Sequence, residues 1–174
     1  MMQQATRTLL SLPLSLLTLV LSCFLSASTA FAAHHETGHA YNPTGKNGLV
    51  NVKSNHTVQK TADKLEAILK EKGMTVFTRI NHTAGAEKVS KKLRPTEVVI
   101  FGNPKVGTPL MQCAQTVAID LPQKMLIWQD AAGATWLTYN DPSYLMQRHK
   151  IKGCDPVIKK VTGALSKFAN AAAK

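Results

Sequence analysis

The chain has 174 residues, and 21 lysines and arginines against 10 aspartates and glutamates give it a formal net charge of +11. This length accommodates one domain and leaves little room for a second. With 44% hydrophobic and 18% charged residues, the composition excludes an intrinsically disordered chain.

Residues 1–32 have the pattern of a secretory signal peptide. Arg7 is the single charged residue in this segment, an apolar stretch follows it, and small residues lead to an A-x-A sequence that ends at Ala32. This pattern predicts export and cleavage after Ala32, which places the protein in the periplasm or outside the cell. One alternative is an uncleaved membrane anchor, although a membrane span needs roughly 20 apolar residues and polar residues interrupt this stretch. The other alternative is lipid attachment at Cys23.

Cleavage would leave 142 residues with a net charge of +10 and no second apolar span, so no transmembrane segment is expected afterwards. This charge favours anionic envelope components as partners, and a solvated basic face that keeps the protein soluble is the alternative. Aromatic residues make up only 6% of the chain and do not alternate with basic ones, which argues against nucleic acid as a partner.

Residues 33–47 are polar and aperiodic, and they predict a flexible lead-in to a domain over residues 48–172. The predicted strands cover residues 48–52, 75–81, 96–101, 124–130 and 134–139. Thr57 is expected to cap a first helix that ends before Gly73. The second predicted helix runs from residue 83 to residue 93.

A loop over residues 102–109 is expected to lead into a short helix over residues 110–115. Asp155 and Pro156 predict the start of the last helix. Its expected apolar stripe consists of Val157, Val161, Ala164, Leu165 and Phe168.

The resulting order, β-α-β-α-β-α-β-β-α, predicts an α+β domain with helices packed on a mixed, largely antiparallel sheet. The unbroken apolar run in strand 96–101 favours a central strand covered on both faces. A hairpin turn with Gly133 in a left-handed conformation would set Trp128 opposite Trp136.

Short motifs follow one another in a fixed order through this domain. They are Ile80-Asn81-His82, Phe101-Gly102-Asn103-Pro104, Gly107, Leu110-Met111, Asp120-Leu121-Pro122, Tyr139-Asn140-Asp141-Pro142, Tyr144-Leu145 and Arg148-His149. Over about 120 residues the chain resembles the bacterial and archaeal domain of unknown function 302 family. The resemblance implies a compact α+β domain that self-associates, so we expect a homo-oligomer, most simply a dimer. It implies no established reaction.

The sequence offers a candidate metal site at the mature N-terminus. Cleavage after Ala32 would expose Ala33, His34 and His35. The free amine, two backbone amides and the third-position imidazole would form the square-planar nitrogen set that Cu(II) and Ni(II) prefer. His39 could add a further imidazole, and the alternative is a histidine-bearing tail without a function.

Four polar residues at predicted strand ends and loop starts are candidates for a pocket: His82, Asn103, Asp120 and His149. A histidine there could act as a general base or metal ligand, and local capping is the alternative for each residue. The loop after Gly102 does not predict nucleotide binding, because Thr108 stands where a P-loop has its lysine.

Cys113 and Cys154 would both remain after cleavage. In an oxidising compartment they either form a disulfide or stay two buried thiols, and spacing alone does not decide between the two.

These observations favour an exported, soluble, non-enzymatic envelope module for binding or assembly, with Cu(II) or Ni(II) at its N-terminus. The alternative is a small enzyme of unknown class that uses His82, Asp120 and His149.

Overall fold

The computed structural model describes residues 47–174. The predicted signal peptide and nearly all of the lead-in lie outside the described residues. Cleavage after Ala32, lipid attachment at Cys23 and the metal site at Ala33, His34, His35 and His39 therefore stay predictions.

Five strands form one sheet in the spatial order β1-β5-β4-β3-β2, and each neighbouring pair is antiparallel. The strands are β1 (Leu49–Ser54), β2 (Thr75–Asn81), β3 (Thr96–Gly102), β4 (Gln123–Gln129) and β5 (Thr135–Asn140). The predicted fold class is confirmed, and the sheet that we expected to be mixed is antiparallel throughout.

The predicted order of elements is also confirmed, with a 3₁₀ helix and one short α-helix added to it. The helices are α1 (Val58–Glu71), α2 (His82–Lys88), α3 (Pro104–Cys113), the 3₁₀ helix Gln115–Asp120, α4 (Pro142–Arg148) and α5 (Asp155–Ala173).

Helix α1 forms where its local chemistry predicts. The side chain of Thr57 accepts a hydrogen bond from the Lys60 amide at 3.3 Å and so caps the first turn. The apolar stripe that begins at Val58 is buried against the sheet. Gly73, just past the end of the helix, has the left-handed φ of 71° that a helix terminator needs.

The core lies between one face of the sheet and helices α1 and α5. In β3, buried and half-buried residues alternate, and Val99 and Phe101 point into the core. Our prediction that both faces of β3 are covered is therefore wrong. Successive side chains of a strand point to opposite faces of the sheet. When all of them are apolar, the sequence does not reveal that one face is less covered than the other.

Helix α5 begins one residue earlier than predicted, because Cys154, rather than Asp155, occupies the N-cap. Of its predicted stripe, Val161 and Leu165 are buried, whereas Phe168 is only partly buried. The other buried residues of the helix are Ile158, Ala169, Ala172 and Ala173.

Two predicted helix boundaries are wrong. Helix α2 is capped by Asn81 instead of Thr83, and it ends at Lys88. The segment predicted as a loop after Gly102 belongs to α3, because the Asn103 side chain accepts from the Lys105 amide at 2.9 Å and starts a helix that continues through Pro109.

The hairpin of β4 and β5 is confirmed. Trp128 pairs with Trp136, and Gly133 has a φ of 82°. The Asp130 carboxylate accepts hydrogen bonds from the Trp136 indole at 2.7 Å and from two backbone amides of the turn at 2.9 Å. These bonds, the indole bond first, hold the pKa of Asp130 below its usual value.

Candidate functional site

Asp120 and His149, 29 residues apart in sequence, meet at one end of the sheet. His149 Nε2 lies 2.6 Å from Asp120 Oδ2, and His149 Nδ1 lies 3.1 Å from the hydroxyl of Thr116. Both contacts are satisfied when Nε2 carries the proton and donates it to the carboxylate, while the threonine hydroxyl donates to Nδ1.

This polar cluster joins the 3₁₀ helix to the end of α4. The side chains of His149 and Asp120 are only 7% and 12% exposed. Arg148 adds a longer contact of 3.4 Å to the second carboxylate oxygen. When a hydroxyl contacts an imidazole that in turn contacts a carboxylate, the imidazole can accept the proton of the hydroxyl. The surface in front of His149 is a shallow depression beside Thr116 and Ile119.

Asn103 lies at the same end of the sheet, and His82 lies at the opposite end. Strands β2 and β3 are antiparallel, so their last residues lie at opposite ends of the sheet. Asn103 follows the last residue of β3, and His82 follows the last residue of β2. About 20 Å of strand separates the two positions. Asn103 also donates to the Gly73 carbonyl at 3.1 Å, in addition to capping α3. The structure thus brings Asp120 and His149 together and leaves His82 apart.

The described residues, 47–174, contain no group of three or more histidine, cysteine, aspartate or glutamate side chains that could hold a metal ion.

A disulfide joins Cys113, the last residue of α3, to Cys154, the N-cap of α5. Their Cα atoms are 6.4 Å apart, within the usual range for a disulfide. Of the two alternatives that the sequence left open, the structure contains the bridge.

An apolar cavity of about 590 Å³ opens between α3, α5 and the end of the sheet where β2 begins. Its wall includes Met74, Phe77, Val106, Leu110, Leu121 and Phe168. Phe101 and Phe168 meet edge to face at the wall, with ring centroids 6.4 Å apart. A Cβ added at Gly102 would come within 3.2 Å of the Phe77 ring, so glycine allows this close approach.

Our sequence reasoning missed this cavity. Val106 and Leu110 lie four residues apart and share one face of α3, and this spacing was the available signal. Since the sequence predicts a loop over residues 102–109, it predicts no packing partner for this apolar face.

An ion-pair cluster at the opposite end of the sheet fixes the edge strand β2 to α1. Arg79 Nε lies 2.5 Å from the carboxylate of Glu97, and its Nη1 contacts Asp63 and lies 3.9 Å from Glu66. Burial opposes the charge of the guanidinium, but the hydrogen bonds to Glu97 and Asp63 outweigh it and raise the pKa of Arg79.

Across the part of the chain that the structure describes, no helix combines the length and the apolar character needed to traverse a bilayer.

Three curated proteins are similar to this chain. The "Fluoride-specific ion channel FluC 1" of Brucella suis biovar 1 is 45% identical over 138 residues, which are 75% of this chain and 54% of the relative. FluC 1 of Brucella abortus biovar 1 and FluC 2 of Brucella melitensis biotype 1 show the same identity over 138 residues, which are 51% of each relative. The chain thus spans about half the length of these curated relatives.

These relatives overturn the predicted function. Proteins that share 45% of the aligned residues are named ion channels, and an ion channel is a membrane protein. The prediction of an exported envelope module is therefore wrong.

The fold has a counterpart of known structure. A crystal structure of the uncharacterized conserved protein DUF302 from Bacillus stearothermophilus aligns with a TM-score of 0.66. The alignment covers 72% of this chain and 98% of that one, at 17% identity, which shows a shared fold. The model of the family "Domain of unknown function DUF302" matches residues 50–171. Because this match covers more than half of the chain, the chain belongs to the DUF302 family.

Proposed function

We propose that this chain is an accessory domain that acts together with a fluoride channel. The observation that carries the proposal is the 45% identity over 138 residues with three proteins named fluoride-specific ion channels. Only about half of each relative takes part in the match, so in those proteins the matched region adjoins a second portion of similar length.

The packing of the domain supports the accessory part of the proposal. Helix α1 turns its apolar stripe toward the sheet, while Lys60, Lys64 and Lys70 lie on its other faces. The largest buried side chains belong to a core shared by the sheet and the helices. A unit that buries its apolar surface internally can fold beside a pore and influence it without forming its wall.

The test is a measurement of fluoride efflux from proteoliposomes with a fluoride-selective electrode. Three preparations are compared: the Brucella suis relative, the same protein without its matched 138-residue region, and the truncated protein reconstituted together with this chain. We expect truncation to change the initial efflux rate at least twofold and the added chain to move the rate back toward the native value.

The matched control is the same chain with Leu65→Asp, since a charge at a fully buried position unfolds the domain. The control is expected to leave the truncated protein unchanged. Equal efflux rates for the native and truncated relatives would refute the proposal, and so would an equal effect of the folded and unfolded chains.

The predicted dimer and the predicted anionic envelope partners stay predictions.

A further inference from the structure

The cavity between α3 and α5 has the size and the lining of a ligand site. Its volume of about 590 Å³ lies within the range of about 300–1,000 Å³ that is typical of small-molecule pockets. Apolar side chains make up nearly all of its wall, and Phe77 at this wall is 57% exposed. A well-held water molecule needs two to four polar partners, and this wall offers few of them. The wall therefore favours a hydrocarbon occupant.

Basic side chains lie beside this apolar cavity. Lys160 borders it and also borders a neighbouring cavity of about 580 Å³ on the other side of α5. The second cavity is lined by Lys72, Lys159 and Lys167 as well, and both cavities share Phe168.

The lysines of α5 are available for a ligand. Lys72 pairs with Glu71 at 2.8 Å. Within residues 47–174, by contrast, Lys159, Lys160 and Lys167 form no ion pair with a carboxylate. An apolar cavity with the uncompensated ammonium group of Lys160 at its border is complementary to a molecule that has a hydrocarbon tail and an anionic head.

We propose that this cavity binds a fatty acid, with the hydrocarbon tail between α3 and α5 and the carboxylate at Lys160. A neutral hydrocarbon would leave the lysine without a partner. A volume of about 590 Å³ is that of a site for one small molecule. The Cys113–Cys154 disulfide joins the two helices that form the walls, which keeps the site formed before the ligand enters.

The fatty-acid site is independent of the proposed function, and its test uses this chain alone. The full chain is titrated with decanoate, with the neutral analogue decanol and with phosphatidylglycerol vesicles in an isothermal calorimeter. We expect one-to-one, saturable binding of decanoate and weaker binding of the vesicles.

Two variants are designed to fill the cavity from opposite walls. Ala164→Phe introduces a ring from α5, and Gly107→Leu introduces a side chain from α3, where an added Cβ is 3.7 Å from Leu121. Each variant is expected to weaken decanoate binding at least tenfold. Circular dichroism establishes which variants are folded, and a folded variant that binds decanoate like the native chain overturns the proposal.

Two charge variants test the head group. Lys160→Glu is expected to weaken decanoate binding at least tenfold and to leave decanol binding within twofold of the native value. Lys60→Glu is the matched control, because it makes the same charge change on an exposed position of α1 that lines neither cavity. Equal effects of the two variants would overturn the role of Lys160. Absence of saturable decanoate binding by the native chain, or binding of the vesicles alone, would overturn the site itself.

Discussion

The disulfide between Cys113 and Cys154 closes a loop with a sequence separation of 41 residues, and its removal has a calculable effect on stability. In the chain-entropy model, a cross-link over about 42 residues lowers the entropy of the unfolded chain enough to stabilise the fold by about 4 kcal/mol. We therefore expect the double variant Cys113→Ser, Cys154→Ala to lose about 4 kcal/mol of unfolding free energy. At a slope of about 2 kcal/mol per molar urea, the midpoint of unfolding falls by about 2 M.

The assay is urea unfolding followed by far-ultraviolet circular dichroism, with and without dithiothreitol. Reduction of the native chain is expected to lower its midpoint to nearly that of the double variant, and dithiothreitol is expected to leave the double variant unchanged. The reasoning is refuted if the reduced native chain keeps its unfolding free energy to within about 1 kcal/mol, well below the effect expected for this loop.

Three further predictions concern the core, the ion-pair cluster and the alkaline limit of stability. Leu65→Ala, at a position that is 0% exposed, is expected to cost about 2–5 kcal/mol in urea unfolding, and a cost below about 1 kcal/mol would contradict the packing. Arg79→Met leaves the carboxylate of Glu97, a residue 6% exposed, without its closest partner. We expect the unfolding free energy to fall by about 1–3 kcal/mol, and adding Glu97→Gln is expected to restore part of it. Additive losses in the double variant would argue against the pairing. Burial first, and then the charge of Asp141, raise the pKa of Tyr139 above its usual value near 10. This contribution to stability is complete below the unfolded pKa, near 10, and is lost as the pH rises through the higher folded pKa. Above about pH 10 we therefore expect the melting temperature of Tyr139→Phe to fall less with pH than that of the native chain, and parallel curves would refute the assignment.

The sequence predicts best where a single stretch contains all of the determining chemistry. Helix α1 has its cap, its stripe and its terminator within the residues from Thr57 to Gly73. The hairpin likewise depends on Gly133 and on neighbouring residues. In both cases the local preferences and the tertiary packing agree.

Helices α3 and α4 show where the prediction fails. Each begins with a capping residue followed by proline, Asn103-Pro104 and Asp141-Pro142, which is a typical helix start. In α3 this signal is obscured by Pro109, which predicts a break, although the helix tolerates it.

The site residues could be predicted only as candidates. Asp120 and His149 meet because the fold brings the end of the 3₁₀ helix to the residue that follows α4, and spacing in the sequence does not encode that contact. The cavity is built from side chains such as Met74, Leu110 and Phe168, each of which is indistinguishable from a core residue in the sequence. The proposed association with a fluoride channel has no signal in the composition.

The most direct test of the proposed function is a domain exchange in the Brucella suis relative. Its matched 138-residue region is replaced by the aligned region of this chain, and the initial rate of fluoride efflux from proteoliposomes is measured. Our account predicts a rate within twofold of the native relative and clearly different from that of the truncated protein. A rate equal to that of the truncated protein would contradict it.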